Sequence, residues 1–437
     1  MLASLRARDP ALVYLVVAGI GPLFTTIAFT IAAVYYVTVA GLDPLQLVLL
    51  GTTLEATYFL MEIPTGVFAD NWSRRGSVIV GYLLFAAYFA ILGLVPIFSV
   101  MVLANVVSGF AYAFIEGALE AWIADEVGEE KVGALYLRAS QISRVSILVG
   151  SLGSVALATT IGLGPTIVAA GIGQLAMAAF LIVTMREDGF RPAPRDVGVS
   201  RLRAMETTTR AGLRAVRMRP LMLSVLLAGA LFGAFTEAFD RLWEALFLIE
   251  IGLPAIALPS MGELSPITWF AIFAILEMPL GLVAAEIVRR RLDVAHPAAV
   301  ARVLLVINGL LMMAILAFGL AAGFAVAVGA FLAVGLLRGL QGPLYAAWLN
   351  RGLEPSTRAT VLSMAGQADA LGQLSGGPIL GLIGSLAGIR AGLVAGAAFL
   401  LPAVLLYARA IRHQGRIDDT LAAEPVVPGI PMDGDRP

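Results

Sequence analysis

Residues 62–77 read "EIPTGVFADNWSRRGS", and residues 277–291 carry a looser copy, "EMPLGLVAAEIVRRR". Each places Glu-x-Pro-x-Gly, then an acid, then paired arginines at the end of an apolar run. The copies stand roughly half of the 437-residue chain apart. An internal duplication follows, and the question becomes what kind of fold repeats a charged turn beside greasy segments.

Composition removes most alternatives. Hydrophobic residues make up 59% of the chain and charged residues 14%, against roughly a quarter charged in soluble globular domains. The net charge of −1 offers nothing to a nucleic acid. There is no Cys, which excludes disulfides and thiolate metal sites. The two histidines, His296 and His413, fall in polar connecting sequence, so no imidazole pair lies at membrane depth. No A-x-A-like cleavage pattern follows the first apolar run, so that run is expected to be retained.

A helix needs about 20 apolar residues to cross the hydrocarbon core. Twelve such runs are legible, at 11–40, 45–69, 77–96, 99–124, 136–160, 164–185, 220–250, 265–288, 298–320, 323–350, 359–386 and 389–410. They are too long and too continuous for barrel strands, which alternate over about 10 residues. A short interfacial helix is expected in the Pro-rich 251–264 stretch. The chain reads as an all-α, multi-pass membrane protein.

Arginine marks one side. Arg6 and Arg8, Arg74 and Arg75, Lys131 and Arg138, the crowded 186–219 connection, Arg289–Arg291, Arg351 and Arg358, and Arg412 and Arg416 all occupy alternate connections; Arg390 is the exception. Both termini are therefore expected in the cytoplasm, which twelve spans require. The implied division is an N-terminal six-helix bundle over 1–185, a cytoplasmic basic linker over 186–219, a C-terminal bundle over 220–411 and a disordered tail over 412–437. Within the linker, "LRAMETTTRAGLRAVRMRP" has the pattern of a basic amphipathic helix.

The halves echo one another elsewhere. "EGALEAW" at 116–122 matches "QGPLYAAW" at 341–348, and Arg138-Ala139-Ser140 matches Arg358-Ala359-Thr360. Six-helix repeats of this kind are a signature of secondary transporters. The opening motif then has a mechanical reading. Gly66, and Gly281 in the copy, would let a neighbouring helix approach. Asp70, with Arg74, Arg75, Arg138 and Arg358, would form a latch when the cytoplasmic side shuts; Glu277, Glu286 and Arg289 would serve the second half.

Gly66-x-x-x-Asp70-x-x-x-Arg74-Arg75 between spans two and three resembles the signature loop of the major facilitator superfamily. At a finer level, "EIPTGVFAD", "EGALEAWIAD" and "RATVLSMAGQADALGQLSGGP" resemble the drug:proton antiporters of the tetracycline and macrolide efflux type. The resemblance implies two pseudo-symmetric bundles, a monomer in the bacterial cytoplasmic membrane, and no cofactor beyond a proton gradient. Asn71 and Ser73 depart from the loop pattern, where a basic residue and Gly are usual. The antiporter-type Arg-x-x-Gln-Gly occurs at Arg338–Gly342 in span ten rather than in span four. These departures bear on transport direction more than on fold.

A charge near the bilayer centre costs at least about 2.5–3.5 kcal/mol on insertion scales, so each one asks for a partner or a use. Span two holds Glu55 and Glu62; span four Glu116 and Glu120; span five Arg144; span seven Glu237, Asp240, Arg241 and Glu244. Span eight adds Glu277, span ten Arg338 and Gln341, and span eleven Asp369 beside Gln367 and Gln373. On a continuous helix Glu116 and Glu120 share a face, and the four charges of span seven share a stripe. Pairs of Asp240 or Glu244 with Arg241, and of a span-four acid with Arg144, are expected. Nine acids still face three arginines. The surplus must be protonated, hydrated or matched by something other than protein.

The expected function follows from that surplus: export of a lipophilic, often cationic compound in exchange for protons, with Glu116 and Glu120 binding proton or substrate in turn. Glu62 and Asp369 would belong to the same switch, and the span-seven acids to an outer gate. Aromatic residues in the spans, among them Tyr35, Tyr36, Tyr112, Phe114, Phe235, Phe239, Trp243 and Trp269, would line an apolar cavity and favour cations. An ATP-driven pump needs a Gly-Lys-Ser/Thr phosphate loop, which the single lysine, Lys131 in "GEEKVG", does not supply. No enzyme motif is present. A proton-coupled uptake carrier for a small nutrient, a lipid transporter of the same fold, and a non-transporting receptor on this scaffold remain as alternatives.

Overall fold

The computed structural model describes residues 9–191, 220–258, 262–292, 297–349 and 355–423. The 202–220 amphipathic pattern lies almost wholly outside these residues.

Among the described residues thirteen α-helices follow one another: α1 Pro10–Thr38, α2 Pro44–Asn71, α3 Arg74–Leu94, α4 Phe98–Ile115, α5 Ala118–Val127, α6 Glu129–Ile161, α7 Leu163–Thr184, α8 Pro220–Ala245, α9 Pro266–Arg291, α10 Pro297–Gly319, α11 Phe324–Leu349, α12 Pro355–Ala387 and α13 Ile389–Ala423. The fourth expected span is two helices, α4 and α5. Local chemistry sets several starts. Asp43 caps α2 in a capping box with Gln46, and Ser73 caps α3 through the Gly76 N–H. Each such cap satisfies backbone donors that helix geometry leaves free.

Among the described residues, eleven helical segments are long and apolar enough to cross a membrane, with α4 and α5 counting as one. The span expected at 220–250 contains α8, which carries Glu237, Asp240, Arg241 and Glu244 along its second half. It ends in a π-helical turn, Leu246–Ile251, an irregularity common near functional sites. The expected interfacial helix in 251–264 is absent from the described residues there. Ala257–Leu258 and Gly262–Glu263 pair instead as two-residue antiparallel strands. Helix α13 continues to Ala423, past the point where a disordered tail was expected.

The halves repeat the same packing. In the first, α1 packs on α6 and α7, α3 on α7 and α4, and α2 on α4. In the second, α8 packs on α12 and α13, α10 on α13 and α11, and α9 on α11. These are the same pairings moved by six spans. Arg390, the exception to the arginine rule, sits at the outer end. There it bonds Glu250 at 2.8 Å and the carbonyl oxygens of Gly319 and Ala321 at 3.0 and 2.7 Å. It therefore caps the end of α10 instead of anchoring to the inner leaflet.

The halves meet at their outer ends. The Leu45 N–H donates to Ser385 Oγ at 2.8 Å, and Ser385 Oγ donates to Asp43 Oδ1 at 2.8 Å. Gly377, Gly381 and Gly384 of α12 bring its backbone against Val48, Leu45 and Pro44 of α2. Towards the inner end of α2, Glu62, Ile63, Gly66 and Val67 are exposed. Among the described residues, the halves thus meet where α2 begins and α12 ends, and the far end of α2 is exposed.

Candidate functional site

The site begins at a break. Helix α4 stops at Glu116, whose backbone is extended, because Gly117 adopts φ +76°, a left-handed conformation that side chains with a Cβ resist. The free Gly117 N–H donates to Glu120 Oε2 at 3.1 Å, which caps α5. The expectation that Glu116 and Glu120 share one helical face is therefore corrected. Glu116 and Glu120 are both exposed, Glu116 at the end of α4 and Glu120 in the first turn of α5, whose start it supports. Gly117→Ala is expected to cost about 1–2 kcal/mol, the usual strain of a left-handed residue. It should also lower flux, since a straightened helix would redirect Glu116. Thermal stability in detergent and flux in vesicles check both effects.

Beside this break lies a cavity of about 600 Å³ between the halves, within the usual range for small-ligand sites. From the first half come Phe29, Tyr36, Glu55, Tyr58, Tyr88, Asn105, Tyr112 and Glu116. From α8 come Asp240, Arg241, Trp243 and Glu244. Tyr58 lies within hydrogen-bonding reach of Glu116. Trp243 is fixed by stacking on Phe331 at 4.4 Å between centroids.

The charge pairs differ from those expected. Arg241 Nε bonds Glu237 Oε1 at 3.2 Å, four residues back, and Glu237 is 4% exposed. Asp240 pairs instead with Arg338 of α11 in a two-pronged contact, one prong at 2.8 Å. Arg338 also lies over the Phe239 ring, 5.8 Å from its centroid. Arg144 is exposed and has no ion pair among the described residues, so the proposed mate for a span-four acid is not there. Helix periodicity could place the span-seven charges on a stripe, but not say which neighbour would face them.

The remaining candidates fall into three groups. Asp369 accepts from Gln373 Nε2 at 2.8 Å and belongs with Arg338 and Glu277 to a polar cluster inside the second half. Glu277 packs over Gly335, and buried Gln341 faces Tyr407. Several aromatic residues serve packing instead of the cavity. Tyr35 is 1% exposed and donates to Leu92 O at 2.9 Å, while its neighbour Tyr36 takes the cavity position. Phe239 and Phe235 are buried against each other, Phe114 packs on Phe68, and Trp269 donates to Pro254 O. Tyr35→Phe should therefore cost about 1 kcal/mol, one buried hydrogen bond, and leave substrate affinity unchanged. Chemical denaturation and a binding titration separate the two.

The latch residues are engaged within the first half. Arg74 reaches Asp125, the Ala121 carbonyl at 2.8 Å and, at 3.6 Å, Asp70. Arg75 Nε and Nη2 donate to the Met185 and Ile182 carbonyls at 2.8 and 2.7 Å. Glu187 caps α3, accepting from Ser73 Oγ at 2.6 Å and Arg75 N at 3.0 Å. Arg138 is exposed, and the Arg358 side chain lies outside the described residues. A Cβ on Gly66 or Gly281 would meet nothing within 4 Å among the described residues, so the close helix approach expected at these glycines is not seen there. In the second copy, Glu286 bonds Arg289 and Arg290 of its own helix, at 2.7 and 2.6 Å.

Sequence reasoning passed over Tyr58, Asn105, Gly51 and Glu187. Tyr58 was findable, lying one turn from both Glu55 and Glu62 on a shared face. Gly51 was not, because its role is to leave room for Glu237 and Arg241 of the other half.

With this geometry in hand, comparison with known proteins is direct. Residues 12–368 match the family model described as Major Facilitator Superfamily. An uncharacterised MFS-type transporter, YxaM of Bacillus subtilis (strain 168), is 21% identical over 378 residues, covering 86% of this chain and 89% of the relative. Among solved structures, a bacterial homologue of the human lysosomal transporter Spinster, inward-facing and unoccupied, superposes with a TM-score of 0.68 at 16% identity, covering 92% of this chain and 96% of that one. The nucleoside transporter NupG gives 0.70 at 12% identity over 93% of this chain and all (100%) of that one. A peptide transporter POT in complex with sulfate gives 0.68 at 15% identity over 94% and 97%. These likenesses carry the fold, and the family match covers most of the chain: the protein belongs to the Major Facilitator Superfamily and is a multi-pass membrane transporter.

Proposed function

We propose that this transporter exports lipophilic or amphiphilic cations in exchange for protons, as a monomer in the bacterial cytoplasmic membrane, by alternating access. The observation that carries this reading is the excess of carboxylates in the central cavity. Glu55, Glu116 and Glu244 line it without an ion pair among the described residues, while Asp240 and Glu237 hold the available guanidinium groups. A carboxylate without a cationic mate at membrane depth is open to a proton or to a cationic substrate, and these three offer such positions around one cavity. Competition for one carboxylate couples outward substrate movement to inward proton movement. Tyr36, Tyr58, Tyr112 and Trp243 supply the faces on which an apolar cation rests.

Two experiments test this reading. Cells overproducing the protein should lower their content of a lipophilic cationic dye, and an uncoupler should abolish the effect. In proteoliposomes, Glu116→Gln should reduce pH-gradient-driven flux at least about tenfold, a loss equal to one hydrogen-bonded charge contact, while exchange without a gradient persists. Unchanged dye content with impaired growth on one nutrient would favour uptake instead.

A further inference from the structure

A second cavity lies away from the cleft. A groove of about 560 Å³ runs between α8, α12 and α13 on the flank of the second half. Gly372 and Gly376 bring α12 against Ala230 and Ala234 of α8, so the floor carries only small side chains. The hydroxyl there, Ser375 Oγ, donates back to the Leu371 carbonyl oxygen at 2.6 Å. Leu227, Leu371, Ile379 and Leu405 form the walls and stay between 47% and 60% exposed. Open apolar walls over a floor without a free polar group fit hydrocarbon and reject a polar solute.

Arg409 breaks this pattern. It lines the groove, is exposed, and has no ion pair among the described residues. The membrane-length part of α13 is Ile389–Arg409, so Arg409 stands where the span ends, on the arginine-rich side. The α13 lining runs from Phe399 to Arg409, about 15 Å of helix and half of the roughly 30 Å hydrocarbon core. The groove therefore has the depth of one leaflet and carries a cation at the level of that leaflet's headgroups.

From this match of length and charge we infer that the groove binds an anionic phospholipid of the leaflet on the arginine-rich side. One acyl chain lies along the floor beside Ser375, and Arg409 holds the phosphate. A zwitterionic lipid offers the same chain, but its own ammonium offsets its phosphate, so it gains less from Arg409. No residue of the central cleft takes part, and the site exists whatever the transporter carries.

The chain has no cysteine, so Leu405→Cys can carry a bimane label at the rim of the groove. In nanodiscs of dioleoyl phosphatidylcholine, chain-brominated phosphatidylglycerol should reach half-maximal quenching at about fivefold lower mole fraction than chain-brominated phosphatidylcholine, the worth of one basic residue facing an anionic lipid. Arg409→Gln should erase that difference, and Arg409→Lys, which keeps the charge, should retain most of it. Ser375→Phe fills the floor while leaving Arg409 in place, and should erase the preference as well. Equal quenching by the two lipids in the labelled protein overturns the site. A preference that survives Ser375→Phe also overturns it, because surface charge alone would then attract the lipid. Quenching by neither lipid would mean that a helix of another protein covers the groove, which excludes a lipid there.

Discussion

Gly51→Leu is expected to hold the transporter open to the outside. Gly51 is buried in α2, and a Cβ there would fall on Glu237 Oε1 and Arg241 Nε of α8. The Glu237–Arg241 pair thus sits in a notch that only glycine provides, with Gly377 of α12 closing against Glu237 from the other side. Neither charged group can retreat cheaply, because each is the other's partner. Overpacking of this kind costs about 1–3 kcal/mol. Borne only by the outward-closed state, it moves the balance between states by about 5- to 150-fold. The chain has no cysteine, so one cysteine at Val48, which is 0% exposed, reports the seal. Maleimide labelling at that position should accelerate by at least about fivefold in the Gly51→Leu background. An unchanged labelling rate would mean that the notch does not control the outer closure.

The second large effect is expected at Arg338. Removing it as Arg338→Gln leaves Asp240 facing Glu277 and Asp369 without the cation they share. Breaking a fully buried pair costs about 3–5 kcal/mol. Asp240 has a side-chain exposure of 46% towards the cavity, so solvent screening reduces the expected loss to about 1–2 kcal/mol. Asp240→Asn combined with Arg338→Gln should recover part of it, because the carboxylate that Arg338 holds most closely is then removed with it, leaving Glu277 and Asp369 without the shared cation. Thermal unfolding in detergent of the two single variants and the double variant gives the coupling directly. Additive losses would show that Arg338 and Asp240 act independently.

The effects at Gly51 and Arg338 separate the two levels at which this protein is specified. Hydropathy was enough for the membrane-length helices and the paired motifs for the duplication, because bilayer thickness acts on each segment alone; arginine placement supplied an expected direction. The paired motif at 62–77 and 277–291 carried the family resemblance for the same reason: both copies are local. Even the break at Gly117 left a trace, in a Glu-Gly pair within an otherwise continuous span. Its effect on the direction of the Glu116 side chain was not written there.

Partner choice belonged to the tertiary structure. Periodicity puts Asp240 and Arg241 on one stripe but cannot say that Asp240 meets Arg338 from α11 while Arg241 bends back to Glu237. Nor can it tell Tyr35, sealed against Leu92, from Tyr36, which faces the cavity. The conformational state also arose from packing, through the glycine faces of α12 against α2 at the outer end and the open space beside Gly66 at the inner. The physical reason is range. Span formation depends on the free energy of one helix in lipid, whereas the Asp240–Arg338 pair joins residues 98 apart in sequence and the Asp43–Ser385 contact residues 342 apart.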